Sequence, residues 1–397
     1  MNQVKVPIAN MKNGKKKLSI GILAEDEDHI NLDEMLKNDI LSHLQINLFN
    51  MKYQNTEIVN QELLTLFLKE SSILMLHLTE KQQLLSYIKK WSDHHTNGLL
   101  ILSSPIEIGM ANHIYHWLQR KGKKIEVAVL PMLSFFFQSN QKQLNFFLLG
   151  GKSNGSMTRK FRREIAKLNI PFLFTSCKET ELISIALDFY YAFRKAFILD
   201  LEQIAVEQKV DVEVLKKGLK MIPEYDYFPP YHEEQTKKLI QTLILLQRIE
   251  KKPNLFVRLI YKKIKEDFMW PIQQIVELKR VHSINRVTVY GYNEDILVRL
   301  THLPFQQIMV FTPISHKIHK RIVSPKIEYI SDLYQAAQQT DLILFLSSLN
   351  VISTISLQRL GNYVSKKIII DPLNLFEIDE MKALKWTYIS KGRVKYV

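Results

Sequence analysis

The feature that most constrains this chain is a hydrophobic period that changes twice. Over the first third, short apolar runs (LSIGIL, QINLFN, SSILMLHL, GLLILSS, IEVAVL and LNFFLLGG) alternate with amphipathic stretches such as NQELLTLFLK, EKQQLLSYIKKW and GMANHIYHWLQRKG. Apolar runs of that length bounded by turn residues read as strands, and their alternation with helices builds an α/β sheet. From about Glu181 to about His282 the strand signals stop and helical periodicity holds, broken by the proline-rich IPEYDYFPPYHEE. RVTVYGY, QQIMVFTP, KIEYIS, DLILFLSS, KKIIIDP and WTYIS then restore the alternation. The reading is an α/β domain over 1–180, an all-helical domain over 181–283 and a smaller α/β domain over 284–397.

With 397 residues and 46% hydrophobic content, the chain can build two or three cores and is too apolar for disorder. No run of about eighteen uncharged apolar residues occurs, and the opening MNQVKVPIANMKNGKKK lacks the apolar core of a signal peptide. A soluble, cytoplasmic protein without a membrane span is expected. The single cysteine, Cys177, excludes an internal disulfide framework and a cysteine-cluster metal site. Lys plus Arg number 54 against 40 Asp plus Glu, and the net charge of +14 favours an anionic partner such as nucleic acid, acidic lipid, polyanionic glycan or nucleotide phosphate. The clusters GKKK, RKGKK, RKFRRE, LIYKKIKED and HKIHKR lack regular aromatic interleaving, so each is either a solvated surface or a binding patch.

One helical stretch, DFYYAFRKAFILDLEQIA, crowds aromatic and charged residues together. Phe189, Phe193, Ala196, Phe197 and Leu201 recur at helical spacing and form the expected buried face. Asp188, Arg194, Lys195 and Asp200 are then left for a charged flank or for the wall of a site.

Specific residues near the C-terminus narrow the choice. SKKIIIDPLNLFEIDEMKALKWTYISKGR has a strand ending in Asp-x-x-Asn, a short helix and a Tyr-x-Ser-x-Gly-Arg close. It resembles the C-terminal signature of the UDP-glucose/GDP-mannose dehydrogenase family, with Asp371, Asn374, Gly392 and Arg393 at matching positions. FILDLEQIAVEQKVDVEVLKKG resembles the family's long central helix and its continuation. SSPIEIGMANHIYHWL resembles a strand and Pro-x-Gly turn of its first domain, with Pro105 displaced and Gly109 retained, and FFLLGGKSN resembles a later glycine-containing strand. The resemblance implies two Rossmann-like α/β domains joined by a central all-helical dimerisation domain. It also implies a homodimer, a nucleotide-sugar ligand, NAD as cofactor if the activity survives, and a place in surface-polysaccharide biosynthesis. Asp371, Asn374 and Arg393 become candidate substrate-binding residues, or structural ones.

The family oxidises a sugar C6 alcohol to a carboxylate with two NAD molecules, and the second half needs a thiolate that adds to the aldehyde. The family's Gly-Gly-Ser-Cys-Phe-Pro-Lys-Asp loop is missing here, where the corresponding span reads MIPEYDYFPPYHEEQT. Cys177, in FTSCKETE, precedes the helix and reads as a half-buried structural thiol. Carried back without a gap from Phe197, the resemblance places the family's catalytic lysine at Arg194 and its active-site asparagine at Asp188. Arginine stays charged where lysine can be tuned, and Lys195 points about 100° away round the helix. Arg194 and Asp188 are either a salt bridge in a vacated pocket or a surface pair. Pro131 matches the proline of an Asn-Pro-Glu element whose glutamate position reads Met132.

The cofactor fingerprint is also thin. Gly21 stands alone before acids in IGILAEDEDHINLDE, and the second strand ends in Asn50 where a ribose-binding acid is expected. Gly21 and Gly109 remain the candidate cofactor-binding residues, and no cofactor is assigned from the residues themselves. In the second α/β domain, Asn293, Glu294 and Asp295 follow Gly291 with no phosphate-binding element. The expectation is a divergent, catalytically inactive family member that binds a nucleotide sugar or regulates. The alternatives are an active NAD-dependent nucleotide-sugar 6-dehydrogenase and a basic polyanion-binding scaffold.

Overall fold

The computed structural model describes residues 19–24, 45–50, 57–78, 80–104, 107–131, 147–167, 172–221, 233–249, 254–313, 322–347 and 352–393. The chain divides into two compact units, Met1–Leu187 and Asp188–Val397.

The first unit is built on a seven-stranded sheet. Its strands are β1 (Ser19–Ala24), β2 (Gln45–Asn50), β3 (Ile73–His77), β4 (Asn97–Leu102), β5 (Lys124–Val129), β6 (Phe147–Gly150) and β7 (Phe172–Thr175), in the order β2-β1-β3-β4-β5-β6-β7. Neighbours run parallel except β5 and β6, which meet antiparallel at Val129 and Gly150. Helices α1 (Glu57–Glu70), α2 (Lys81–His94), α3 (Met110–Arg120) and α4 (Ser156–Ala166) accompany them. Every apolar run expected as a strand is one, and β7 and α4 are additions. Leu74, Leu76, Leu100 and Leu102 meet Trp91 of α2 in the core, and the Trp91 indole donates to the Ser71 carbonyl at 2.8 Å. Gly21 lies inside β1, where an added Cβ would stand 2.1 Å from Ser71 Oγ and 2.9 Å from the Phe67 ring. Its bareness serves the packing of α1 on the sheet.

Helix α5 (Cys177–Glu207) begins in the first unit and continues into the second, which adds α6 (Val212–Lys220), α7 (Glu233–Ile249) and α8 (Leu255–Val281). Among the described residues from 181 to 283 only helices occur. A wholly parallel six-stranded sheet follows: β8 (Arg286–Tyr290), β9 (Gln307–Phe311), β10 (Ile327–Ile330), β11 (Leu342–Phe345), β12 (Ile368–Asp371) and β13 (Thr387–Ser390). Helices α9 (Glu294–His302), α10 (Leu357–Leu360) and α11 (Ile378–Ala383) connect them. The order β10-β9-β8-β11-β12-β13 is that of a doubly wound Rossmann sheet, with its reversal between β8 and β11. Val287, Val289, Leu342 and Leu344 on one face pack with Ile272 and Ile275 of α8, while Tyr290, Phe345 and Ile369 on the other pack with Trp386. At the reversal Gly291 has φ +105°, and a Cβ there would meet Ser347 Cβ at 2.6 Å and the Ser347 main-chain nitrogen at 2.9 Å.

The expected buried face of α5 needs correction. Phe193 and Phe197 are exposed, at 42% and 44%, whereas Ala192, Lys195, Ala196 and Glu202 are buried. Asp188 is buried as well. The charged residues turn inward because partners on other elements await them, and Phe193 instead meets Phe256 of α8 with ring centroids 5.6 Å apart. Among the described residues no helix is long and apolar enough to cross a membrane.

Candidate functional site

Three helix N-termini that begin in the first unit hold the protein's own carboxylates. Gly109, at φ +86°, begins α3, and the main-chain N–H groups of Gly109 and Ala111 donate to Glu181, the latter at 2.9 Å. Burial pushes the Glu181 carboxyl up from its ordinary value, and these two donors oppose the shift. At α4 the Glu126 carboxylate accepts from the N–H groups of Met157 and Thr158, at 3.0 and 2.8 Å, and from the Thr158 hydroxyl at 2.7 Å. Burial raises the Glu126 pKa, but these bonds outweigh it and the net shift is downward. Ser176 and Glu179 form a reciprocal capping box at the start of α5. Such N-termini are ready anion sites, and each of these three is filled from within.

Cys177 is buried at the start of α5, its Sγ donating to the Val127 carbonyl at 3.6 Å. Burial first, and then the charge of Glu181, push its pKa up to about 12. A thiol so placed is almost wholly protonated at neutral pH.

In the second unit the C-terminal residues singled out from the sequence converge on α5 and α6. Asp371 is buried and accepts from Leu373 N, Leu375 N and the Tyr388 hydroxyl, at 3.0, 2.6 and 2.7 Å. Asn374, at φ +55°, accepts from Lys391 N at 3.1 Å and donates to the Lys391 carbonyl at 3.0 Å and to Glu213 at 2.9 Å. Arg393 donates through Nε to Asp211, which caps α6, at 3.1 Å, and through Nη1 to the Phe376 carbonyl at 3.0 Å. Gly392, at φ +68°, lets the turn close on Val212 and Glu202.

Beside these residues lies an ionic cluster that motif reasoning missed. Lys195 of α5 stands 3.0 Å from one oxygen of Asp267 on α8 and donates to Thr236 of α7 at 2.8 Å. Lys391 binds the other Asp267 oxygen and lies 3.5 Å from Glu202, while Lys216 of α6 reaches Glu202 at 2.8 Å. Burial lowers the pKa of Lys195 to about 7 and that of Lys391 to about 8. Perturbed titrations of this kind gather at functional sites, although a buried structural network produces them too.

No family model matches the chain. A sequence relative is UDP-glucose 6-dehydrogenase TuaD of Bacillus subtilis (strain 168), 22% identical in an alignment 358 residues long that covers 78% of this chain and 73% of that one. The chain is similar in sequence to the UDP-glucose/GDP-mannose dehydrogenase family. The ordered C-terminal and central-helix motifs point to the same family. The fold agrees. A UDP-D-ManNAc dehydrogenase from Pyrococcus horikoshii superposes with TM-score 0.69 at 13% identity, covering 94% of this chain and 99% of that one. A UDP-glucose dehydrogenase from Pyrobaculum islandicum gives TM-score 0.68 at 11% identity, covering 96% and 99%.

Asp188 and Arg194, the two α5 residues singled out from the sequence, have separate surroundings. Asp188 accepts from Thr242 at 3.2 Å, and the half-buried Arg194 holds its guanidinium carbon 5.5 Å over the Tyr190 ring. Six residues apart on one continuous helix, they are separated by about 9 Å along the axis and roughly 120° around it. Of the two glycines considered for a cofactor, Gly21 is spent on packing inside β1 and Gly109 opens a helix whose N-terminus Glu181 occupies, while residues 25–44, the segment that follows β1, lie outside the described residues. Pro105, Met132 and most of the MIPEYDYFPPYHEEQT span lie outside the described residues. In the second sheet the turn after Gly291 is closed by Asn293, which accepts from Ile296 N at 2.9 Å, and Glu294 and Asp295 form the first turn of α9.

Proposed function

We propose that this chain is a divergent family member that no longer performs the four-electron oxidation and that it serves surface-polysaccharide biosynthesis, in the cytoplasm, as a nucleotide-sugar-binding or regulatory protein. Cys177 carries the reading. It is the only thiol in the sequence, it is buried, and its pKa of about 12 denies it the thiolate that the aldehyde-oxidising step requires. The carboxylates at the α3 and α4 N-termini support it, since a pyrophosphate would have to displace them. The test incubates the full chain with NAD and, in turn, UDP-glucose, UDP-N-acetylglucosamine and GDP-mannose, following NADH absorbance, with calorimetry of each sugar nucleotide alongside. Binding without NADH formation is expected, and sustained turnover of any substrate would overturn the inactive assignment.

The proposal includes a homodimer built on the helical segment. Phe193 and Phe197 of α5 and Phe256 and Leu259 of α8 expose 42–50% of their surface, an apolar patch that a second copy could cover. Light scattering of the purified chain decides between one copy and two. A polyanion-binding role draws on a separate observation, the exposed Arg159, Lys160 and Arg163 of α4 on a chain of net charge +14. Retention on heparin with steep salt dependence would favour it.

A further inference from the structure

The cluster around Asp267 has an unusual arrangement of charge. Lys195 and Lys391, which lie 196 positions apart, place their ammonium groups on the two oxygens of one carboxylate, and the three side chains are 9%, 16% and 2% exposed. Two like charges brought so close in a buried setting resist being ionised together, the mirror image of two carboxylates that share one proton. The other charges facing the pair can be named for each element packed on it. Helix α5 supplies Glu202, and α6 supplies Lys216 together with Glu213 at the rim. Asp211, the residue that caps α6, is engaged with Arg393. Helix α8 supplies Asp267 and, at the surface, Lys263 paired with Asp200, while α7 contributes the Thr236 hydroxyl and turns Lys237 toward Asp295.

Lys391 belongs to the turn after β13 that also holds Gly392 and Arg393, so the charge state of the pair bears on how that turn seats. We propose that Lys195, Asp267 and Lys391 form a proton-operated latch: release of one proton from the lysine pair tightens the turn Lys391–Arg393 onto α5, α6 and α8, and uptake of that proton loosens it. The device is independent of whether a nucleotide sugar binds. Both lysines titrate below the ordinary lysine value of 10.5, at about 7 and about 8, with burial the first cause in each. A loosened turn, with its lysines in water, therefore binds more protons between about pH 7 and 10.5. The seated form gains on it as pH rises through that window, and the full penalty applies below about pH 7.

The experiment follows amide exchange at Lys391, whose N–H is bonded to Asn374 Oδ1 in the seated turn, together with thermal melts of the full chain between pH 6 and 9. After correction for intrinsic exchange, opening at Lys391 should fall about tenfold from pH 6 to pH 8, as expected for one proton released near pH 7. Lys195→Met removes one ammonium and should abolish that pH dependence. Lys195→Arg holds the charge permanently and should keep the turn open to exchange at pH 9. A lysine that only fills space would leave the pH slope in place in the Met variant, and that outcome overturns the latch. Should the Met variant not fold, equal corrected exchange at pH 6 and pH 8 in the parent chain, or an Arg variant that behaves as the parent does, overturns it equally.

Discussion

Replacing Glu181 by alanine tests whether the α3 N-terminus is an anion site filled from within. The side chain is fully buried and accepts from two main-chain N–H groups, those of Gly109 and Ala111. A hydrogen bond to a charged group is worth about 1.5–3 kcal/mol net, and removing one partner of a buried ionic contact costs about 3–5 kcal/mol. The burial that pushes the Glu181 pKa up offsets part of that gain, which places the expected loss near the lower end, about 3 kcal/mol. For a unit the size of Met1–Leu187, 1 kcal/mol corresponds to about 2–4 °C, so Tm of the first unit should fall by roughly 6–12 °C. Differential scanning calorimetry at pH 7 measures it. The alanine also leaves room for a small carboxylate at the same two N–H groups, so sodium formate should recover part of the loss where sodium chloride does not. An alanine variant melting within about 2 °C of the parent, or formate no better than chloride, would refute the assignment.

Other outcomes follow from single residues. Cys177 should resist iodoacetamide in the native chain at pH 8 and react fully in guanidinium, as a mass spectrum would report; fast native labelling would contradict its raised pKa. Phe193→Glu with Phe256→Glu should give a monomeric mass by light scattering if the α5 and α8 aromatics form the dimer face, and an unchanged dimer would remove that face. Gly291→Ala should cost at least the roughly 1–2 kcal/mol of a left-handed residue, and more for the Ser347 main chain it would push aside. A melt unchanged by that substitution would contradict the close approach at the sheet reversal. Arg194→Ala and Arg194→Lys, compared by calorimetry with UDP-glucose, would end the case for a ligand contact at that position if affinity is the same in both.

The two sheets were legible because buried parallel strands are apolar on both faces, so runs such as ILMLH at Ile73–His77 and LILF at Leu342–Phe345 stand out without any alternation. Strand β7 was not, since FLFT is a four-residue edge strand, and α4, with four cations in eleven residues, looks like a loop of charge until Thr158, Phe161 and Ile165 are seen to share its buried stripe. The C-terminal motif singled out Asp371, Asn374 and Arg393 but could not say what they touch. The inward face of α5 was misread in part for a physical reason: helical periodicity assigns aromatics to the core, whereas here Lys195, paired with Asp267, is buried beside Ala192 and Ala196 while Phe193 and Phe197 are exposed. Glu181 was equally hidden, because its partners lie 70 and 72 positions away.

These long-range pairs bear on ligand binding through effective concentration. A carboxylate tethered in the fold faces its N–H or ammonium partner at a local concentration far above that of any free metabolite. A phosphate arriving at α3 or α4, or at Arg393, must therefore displace Glu181, Glu126 or Asp211 before its own bonds count. The loss is reciprocal, since each displaced carboxylate would be parted from its donors, and Glu181 would be left buried without them. Sites whose cations are already matched inside the fold thus lose affinity for outside anions without any cation being deleted from the sequence. By the same reasoning, weak anion binding that survives in this chain should concentrate on cations turned to solvent, such as Arg159, Lys160 and Arg163, and should weaken steeply with salt. Charge reversal at those three positions, with Arg393 left intact, should abolish it; persistence of the binding would mean that one of the internally matched sites had opened.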